Sequence, residues 1–252
     1  MSAVLLTERR GGILWLTLNR PDKRNALNDA MVEALHAALD AVDLDPDIRV
    51  VAIQGAGRDF CAGADLDELL ASADRAPADN ERDALRLGTL LGRLRACPRP
   101  VVALVRGRAL AGGAGLATAC DLVLAAESAQ FGYPEIQRGF VPAMVMVFLR
   151  RLAGEKLAFD LLANGRILGA ADARTAGLVT RVEPDVTFDA AAEAVIHGLA
   201  GASPSALHLT KKLFYELDGV GVADGIALGA RINALARTTT DFRDAIARFL
   251  SR

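Results

Sequence analysis

Short apolar runs alternating with stretches of helical spacing constrain this chain more than any other feature. Residues 13–18, 50–54, 101–105 and 122–125 read as strands, and residues 29–42 and 82–95 between them repeat their apolar positions at helical intervals. That alternation implies βαβ crossovers and a parallel-rich sheet. The strands are nearly continuous apolar runs, as a strand must be when helices cover both faces of its sheet. The expected fold class is therefore α/β, with a layered core. After about Val141 the strand signals fade, and residues 144–152, 155–162, 170–176, 190–200, 205–217, 223–236 and 241–250 read as helices. Residues 71–82 (ASADRAPADNER) read as a charged, proline-containing loop.

Composition removes several function classes. Basic residues number 29 and acidic residues 31, for a formal charge of -2, and no segment gathers Lys and Arg into a nucleic-acid footprint. No uninterrupted apolar run approaches the roughly 20 residues that cross a bilayer, and Arg9, Arg10 and Arg20 break up the hydrophobicity of the first segment. These features predict a cytoplasmic protein that binds neither membrane nor nucleic acid. Cys61, Cys97 and Cys120 lack metal-type spacing and lie among small or apolar neighbours, so they read as buried reduced thiols. His36, His197 and His208 fall in helical stretches, away from the glycine-rich segments, and no metal site is expected.

Those glycine-rich segments carry the chemical argument. Asp59-Phe60-Cys61-Ala62-Gly63-Ala64-Asp65-Leu66 follows the second apolar run and precedes a helix-like stretch, residues 67–71. Gly107-Arg108-Ala109-Leu110-Ala111-Gly112-Gly113-Ala114-Gly115-Leu116 follows the third run and precedes another, residues 116–120. Small residues at a strand-to-helix turn leave backbone N–H groups unpaired and open to approach. Two such turns facing one another make an oxyanion hole, helped by the positive end of the helix beginning near Gly112. Taken singly, each run fits close packing of strand on helix equally well. Neither is a G-x-S-x-G elbow or a Walker A loop.

Taken together, the pair resembles the crotonase (enoyl-CoA hydratase/isomerase) superfamily. Asn19-Arg20-Pro21, Asn25-Ala26-Leu27, Cys120-Asp121, Phe131-Gly132, Pro134-Glu135 and Ala176-Gly177-Leu178-Val179 fit the same pattern in the same order, so the resemblance covers nearly the whole chain. It implies a crotonase-like spiral of ββα units over residues 1–195, with the site. It also implies a C-terminal helical segment, residues 196–252, that builds a homotrimer or a hexamer made as a dimer of trimers. It assigns the backbone N–H groups of Ala64 and Gly112 to the thioester oxygen. Arg24, Ala26, Ala62, Gly63, Asp65, Leu66 and Gly113 fall on the coenzyme A path. The substrate is an acyl-CoA thioester, and no separate cofactor is implied, because coenzyme A is part of the substrate.

Hydratases of this family pair two glutamates. Here the first position is Gly115 and the second is Glu135, in Phe131-Gly132-Tyr133-Pro134-Glu135-Ile136. One carboxylate can move a proton along the acyl chain, as in enoyl-CoA isomerases, or serve both ends of a water addition. The expected reaction is hydration, with isomerisation second and a non-catalytic acyl-CoA-binding homologue third. Gly115→Glu is expected to restore the second carboxylate wherever the site has room. Among the other polar residues, Asp65 reads as a helix N-cap, Asp121 as structural, and Tyr133 either orients Glu135 or a water or simply packs. Lys211 and Lys212 read as a solvated helix end. Acyl-chain selectivity is expected from residues 69–91 and 144–148.

Overall fold

The computed structural model describes residues 3–251. Its larger sheet is built from β1 (Leu5–Arg10), β2 (Ile13–Leu18), β3 (Val50–Gly55), β4 (Val101–Val105), β6 (Leu122–Ala126) and β9 (Arg181–Glu183), in the order β1-β2-β3-β4-β6-β9. Only β1 pairs antiparallel, through the tight Gly11-Gly12 turn; every later neighbour is parallel. A smaller sheet holds β5 (Arg108–Leu110), β7 (Gln130–Gly132) and β8 (Ile167–Gly169) in the order β5-β7-β8.

Alternate side chains of the large sheet go to opposite faces, and both faces are buried. Leu14, Leu16, Val51, Ile53 and Ala103 join the main core, which helices α1 (Asp29–Leu44), α3 (Pro77–Ala96), α4 (Gly112–Ala119) and α5 (Ala143–Asn164) complete. Ile13, Trp15, Val50, Ala52 and Val102 face the other way, onto Phe188, Ala192 and Ile196 of α7 (Phe188–Gly201). α1 shows why these helices form where they do. Asn28 caps it by accepting from Met31 N at 3.0 Å. Its buried residues Met31, Val32, Leu35, Ala38, Leu39 and Val42 then form one stripe. Each large aliphatic side chain in such a stripe contributes roughly 1.5–3 kcal/mol.

Several expectations change in detail. The proline in residues 71–82 starts α3 instead of lying in a loop: Pro77 sits in the first turn, where a missing N–H costs nothing. Strands do occur after Val141, but β8 and β9 have three residues each, too short for periodicity to reveal. The helices expected at 144–152 and 155–162 are the two halves of α5, broken at Gly154, which sits at φ 72 and ψ 166. A division at residue 195 falls inside α7, whose Ile196 is fully buried against the sheet. The chain leaves the sheet at α8 (Pro204–Glu216) and continues as α9 (Val222–Ala236) and α10 (Thr240–Leu250), neither of which has a buried residue.

Lys211 is not solvated. From α8 its Nζ donates to Leu94 O at 2.8 Å, Arg99 O at 2.9 Å and Asp121 Oδ2 at 2.7 Å. Tyr215 Oη donates to Asp121 Oδ1 at 2.9 Å, and Asp121 Oδ2 also accepts from Val101 N at 2.6 Å. Asp121 is thus the structural anchor that fixes α8 to the start of β4. Lys212 does stand at the surface, 3.8 Å from Glu216.

Candidate active site

Three extended segments line up to make the first wall of the site. Leu27 forms a parallel bridge with Ala64, and Cys61 forms one with Ala109. In the first bridge Leu27 N donates to Gly63 O at 2.8 Å and Asp65 N donates to Leu27 O at 2.9 Å. Ala64 N therefore points away from Leu27, and among the described residues no backbone or side-chain acceptor takes it up. On the second segment β5 intervenes between the third apolar run and the helix, and α4 begins at Gly112 instead of Leu116. Gly112 N belongs to the first turn of that helix and has no intrahelical partner.

The two free N–H groups are brought together by positions that only small residues tolerate. A Cβ on Gly63 would stand 2.7 Å from Ala111 Cβ and 3.3 Å from Gly112 N, and Gly63 has φ +98. A Cβ on Gly112 would lie 3.8 Å from Ala64 N. Among the described residues, Arg24, Asn25 and Ala111 are the three non-glycine residues with positive φ, and all three border this wall. Ala111, at φ 51 and ψ −126, is held by donating to Gly132 O at 2.8 Å. Such conformations cost on the order of 1–3 kcal/mol each and persist only where the surroundings enforce them.

Part of that enforcement was missing from the sequence reading. Asn25 is fully buried; its Oδ1 accepts from Arg20 N, and its Nδ2 donates to Ala56 O at 2.9 Å and Asp59 O at 2.7 Å. Asp59 in turn accepts from Arg108 N at 3.0 Å. Arg20 donates to Ala26 O and to Asp65 Oδ2, both at 2.7 Å. Asp65 also caps α2 (Leu66–Ala71) by accepting from Asp67 N at 3.0 Å. Burial pushes its carboxyl up, but the hydrogen bonds from Arg20 and Asp67 N and the Arg20 charge outweigh it and hold the group below the ordinary carboxylate range. The sequence signal for this scaffold was the pair of segments containing Arg20 and Asn25, whose side chains have no reason to be fixed unless they brace backbone.

The residues expected on the coenzyme A path divide accordingly. Leu66 and Arg24 are exposed and Ala62 is half-buried, with Ala62 N donating to Arg24 O at 3.0 Å. Ala26 is buried beside them. Gly63, Asp65 and Gly113 also brace the scaffold: a Cβ on Gly113 would meet Cys61 O at 2.2 Å. Cys61 itself is a buried free thiol, pushed up to about 12 by burial.

The acid/base part of the candidate site is made of side chains. Glu135 is the second residue of a 3-10 turn, Pro134–Arg138, that follows β7, and it is only 8% exposed. Its Oε2 is buried without a hydrogen-bond partner. Burial raises its proton affinity above that of an ordinary glutamate; its own backbone N–H and the Arg138 charge offset this only in part. Tyr133, fully buried beside it, also has an unpartnered hydroxyl. Gly115 has no space next to it. A Cβ there would stand 2.2 Å from Val145 Cγ1 and 3.6 Å from Leu91 Cδ1. The room that a second carboxylate would need is filled by Val145 of α5, so the expected rescue by Gly115→Glu does not hold.

Two small cavities of about 30 and 60 Å³ lie elsewhere, the first against Gln54, Leu104 and Phe188, the second against Leu39, Arg93 and Cys97, and neither includes Ala64, Gly112 or Glu135. Among the described residues no group of three His, Cys, Asp or Glu side chains is placed to hold a metal, and no helix is long and apolar enough to cross a membrane.

The two-sheet fold with its helical C-terminal region is that of the crotonase class. The enoyl-CoA hydratase/isomerase family model matches residues 8–251, and the chain belongs to that family. A Thermus thermophilus relative, provisionally named an enoyl-CoA hydratase, is 42% identical over 243 residues, covering 96% of each chain. The 2,3-dehydroadipyl-CoA hydratase of Escherichia coli is 38% identical over 250 residues, covering 98% of this chain and 96% of its own. The crystal structure of an enoyl-CoA hydratase from Mycobacterium smegmatis superposes with a TM-score of 0.95 at 31% identity, covering 99% of this chain and 97% of the other.

Proposed function

We propose that this protein adds water across the 2,3 double bond of an acyl-CoA thioester. Attack on the conjugated double bond places negative charge on the thioester oxygen. Two preorganised N–H groups aimed at that oxygen stabilise it, at about 3 kcal/mol for one donor. Ala64 N and Gly112 N take that role, and their lack of any acceptor among the described residues is the observation that carries the reading. Glu135 is the acid/base: as carboxylate it takes a proton from water, and as carboxylic acid it returns one to the second acyl carbon. Its raised proton affinity suits both halves of that cycle. Arg24, Ala26, Ala62 and Leu66 line the coenzyme A path. No cofactor takes part.

Isomerisation between 2-enoyl and 3-enoyl thioesters is the second reading, favoured by one observation: Val145 leaves position 115 no room for a second carboxylate. A spectrophotometric screen of 2-enoyl-CoA and 3-enoyl-CoA esters of several lengths separates the two. Loss of the conjugated thioester absorbance with formation of a 3-hydroxyacyl product supports hydration. Appearance of conjugation from 3-enoyl esters alone overturns it.

A trimer, or a dimer of trimers, accounts for the C-terminal helices. Val222, Ile226, Phe249 and Leu250 of α9 and α10 are each at least two-thirds exposed, large apolar side chains that this chain itself leaves uncovered. Neighbouring copies cover them in this proposal, and a monomer in sedimentation at micromolar concentration would contradict it.

A further inference from the structure

Helix α4 carries Gly112 N at one end. Its sequence is Gly-Gly-Ala-Gly-Leu-Ala-Thr-Ala, so Leu116 is its one large side chain, and all eight residues are buried. Its glycines let it lie close to its neighbours: a Cβ would stand 2.2 Å from Cys61 O at Gly113 and 2.2 Å from Val145 Cγ1 at Gly115. Small residues of this kind allow close approach but offer few side chains to wedge a helix along its own axis. The first turn cannot be tied down either, because a free N–H there is what the thioester oxygen needs. Such a donor has to be held within about 0.5 Å of the productive geometry. The other end is where α4 is fastened.

Asp121 directly follows Cys120, the C-cap residue of α4. Its N donates to Val101 O at 2.9 Å, and its carboxylate accepts from Val101 N, Tyr215 Oη and Lys211 Nζ. Lys211 gives its other two ammonium protons to Leu94 O and Arg99 O, so all three are used, and its side chain is only 8% exposed. The Tyr215 ring stands 5.0 Å from the Arg95 guanidinium, which is also 4.7 Å from the Phe148 ring. Phe148 lies one turn beyond Val145 on α5, and Val145 fills the notch at Gly115. From α8, then, one route runs through Asp121 to the C-terminal end of α4, and another runs through Arg95, Phe148 and Val145 to its middle. A buried ion pair often adds little net stability over apolar side chains of the same size. What several directed bonds on one buried group supply is a fixed position.

We propose that Lys211 and Tyr215 of α8 are positioning residues for the oxyanion hole: by holding Asp121 at the C-terminal end of α4, they set where the Gly112 N–H at its other end stands. This rests on the reading of Gly112 N as a donor to the thioester oxygen. An eight-residue helix is about 12 Å long and stiff over that length, so a shift of its fastened end moves its free end as well. Neither Lys211 nor Tyr215 touches substrate in this account. The C-terminal segment nevertheless has a part in the chemistry, through α8, beyond any part that α9 and α10 have in assembly.

The direct readout is the infrared carbonyl band of a saturated acyl-CoA thioester bound to the full chain, which moves to lower frequency when N–H groups grip the oxygen. Lys211→Met removes the ammonium, and Tyr215→Phe keeps the ring over Arg95 while removing only the donor to Asp121, so the second variant serves where the first fails to fold. In each variant that thermal unfolding shows to be folded at the assay temperature, a smaller downshift than in the unsubstituted protein is expected. Hydration and exchange of the C2 proton of the saturated ester in D2O should fall together, about tenfold in Lys211→Met and about threefold in Tyr215→Phe, less than removal of a donor costs, with KM changed less than about threefold. Ile196→Ala, a fully buried position on the far face of the sheet, lowers stability through packing alone and should leave the band where it was. A full downshift in the folded α8 variants, or an equal loss of it in Ile196→Ala, overturns the proposal. No downshift in the unsubstituted protein would instead overturn the reading of Gly112 N on which it stands.

Discussion

The two walls of the site are built from different materials. The Ala64 and Gly112 wall is backbone, held by three strained residues, by glycine contacts and by the buried Asn25 and Arg20 braces. The Glu135 wall is side chain: Glu135 Oε2 and Tyr133 Oη are buried without partners, and Val145 fills the space beside Gly115. A backbone wall tolerates almost no change in shape, and it suits the step common to every reaction of an acyl-CoA thioester, the charge on oxygen. A side-chain wall can be rebuilt by single substitutions, so in the proposed function it is the part that decides which reaction follows.

The largest effect falls on the second wall. Glu135→Gln keeps the shape and removes the proton carrier, so kcat should fall about 10³-fold with little change in acyl-CoA affinity, read by steady-state kinetics and ligand titration. A variant within tenfold of the original would dissolve the distinction between the walls.

Next comes the first wall. Gly63→Ala introduces a Cβ 2.7 Å from Ala111 Cβ at a φ of +98, which pushes the two N–H groups apart. Loss of one donor's alignment predicts a fall in kcat of about 10²-fold for hydration and C2 exchange alike. Unequal effects on the two would mean that the backbone wall does more than hold the oxygen.

Gly115→Glu sharpens the comparison through stability. With Val145 Cγ1 at 2.2 Å from the new Cβ, overpacking should cost about 1–3 kcal/mol in denaturant unfolding, with no gain in hydration. Val145→Ala in the same chain should recover part of that loss. A single variant that is both stable and faster would contradict the role given to Val145.

Much of the first wall could be read from sequence, because unpaired backbone needs small residues and those stand in runs around Gly63 and Gly112. Glu135 was legible through its motif, and the apolar strands through their length. Val145 against Gly115 was not legible, since nothing in residues 144–148 states which distant glycine they fill. Lys211 reads as an ordinary surface lysine until Asp121, 90 residues away, proves to be its partner. The three-residue strands β5, β7, β8 and β9 are too short to show a period.

The smallest expected effect is on pH. Burial favours the neutral form of Glu135, so the acid limb of kcat/KM should lie above the 4.5 of an ordinary glutamate. The stability linked to this group has the opposite sense: it is fully present below the unfolded value and is lost as pH rises through the folded one. Glu135→Gln should accordingly be no less stable than the original at pH 7 in thermal unfolding, although nearly inactive. A variant clearly less stable there would show that the carboxylate stabilises the fold.

The central claim is one carboxylate facing one backbone oxyanion hole, and product stereochemistry tests it most directly. When a 2-enoyl-CoA ester is hydrated in D2O, the 3-hydroxyacyl product should carry a single deuterium at C2, on the same face as the new hydroxyl, because Glu135 serves both carbons from one side. Deuterium on the opposite face, or on both, would require a second proton carrier and contradict the account.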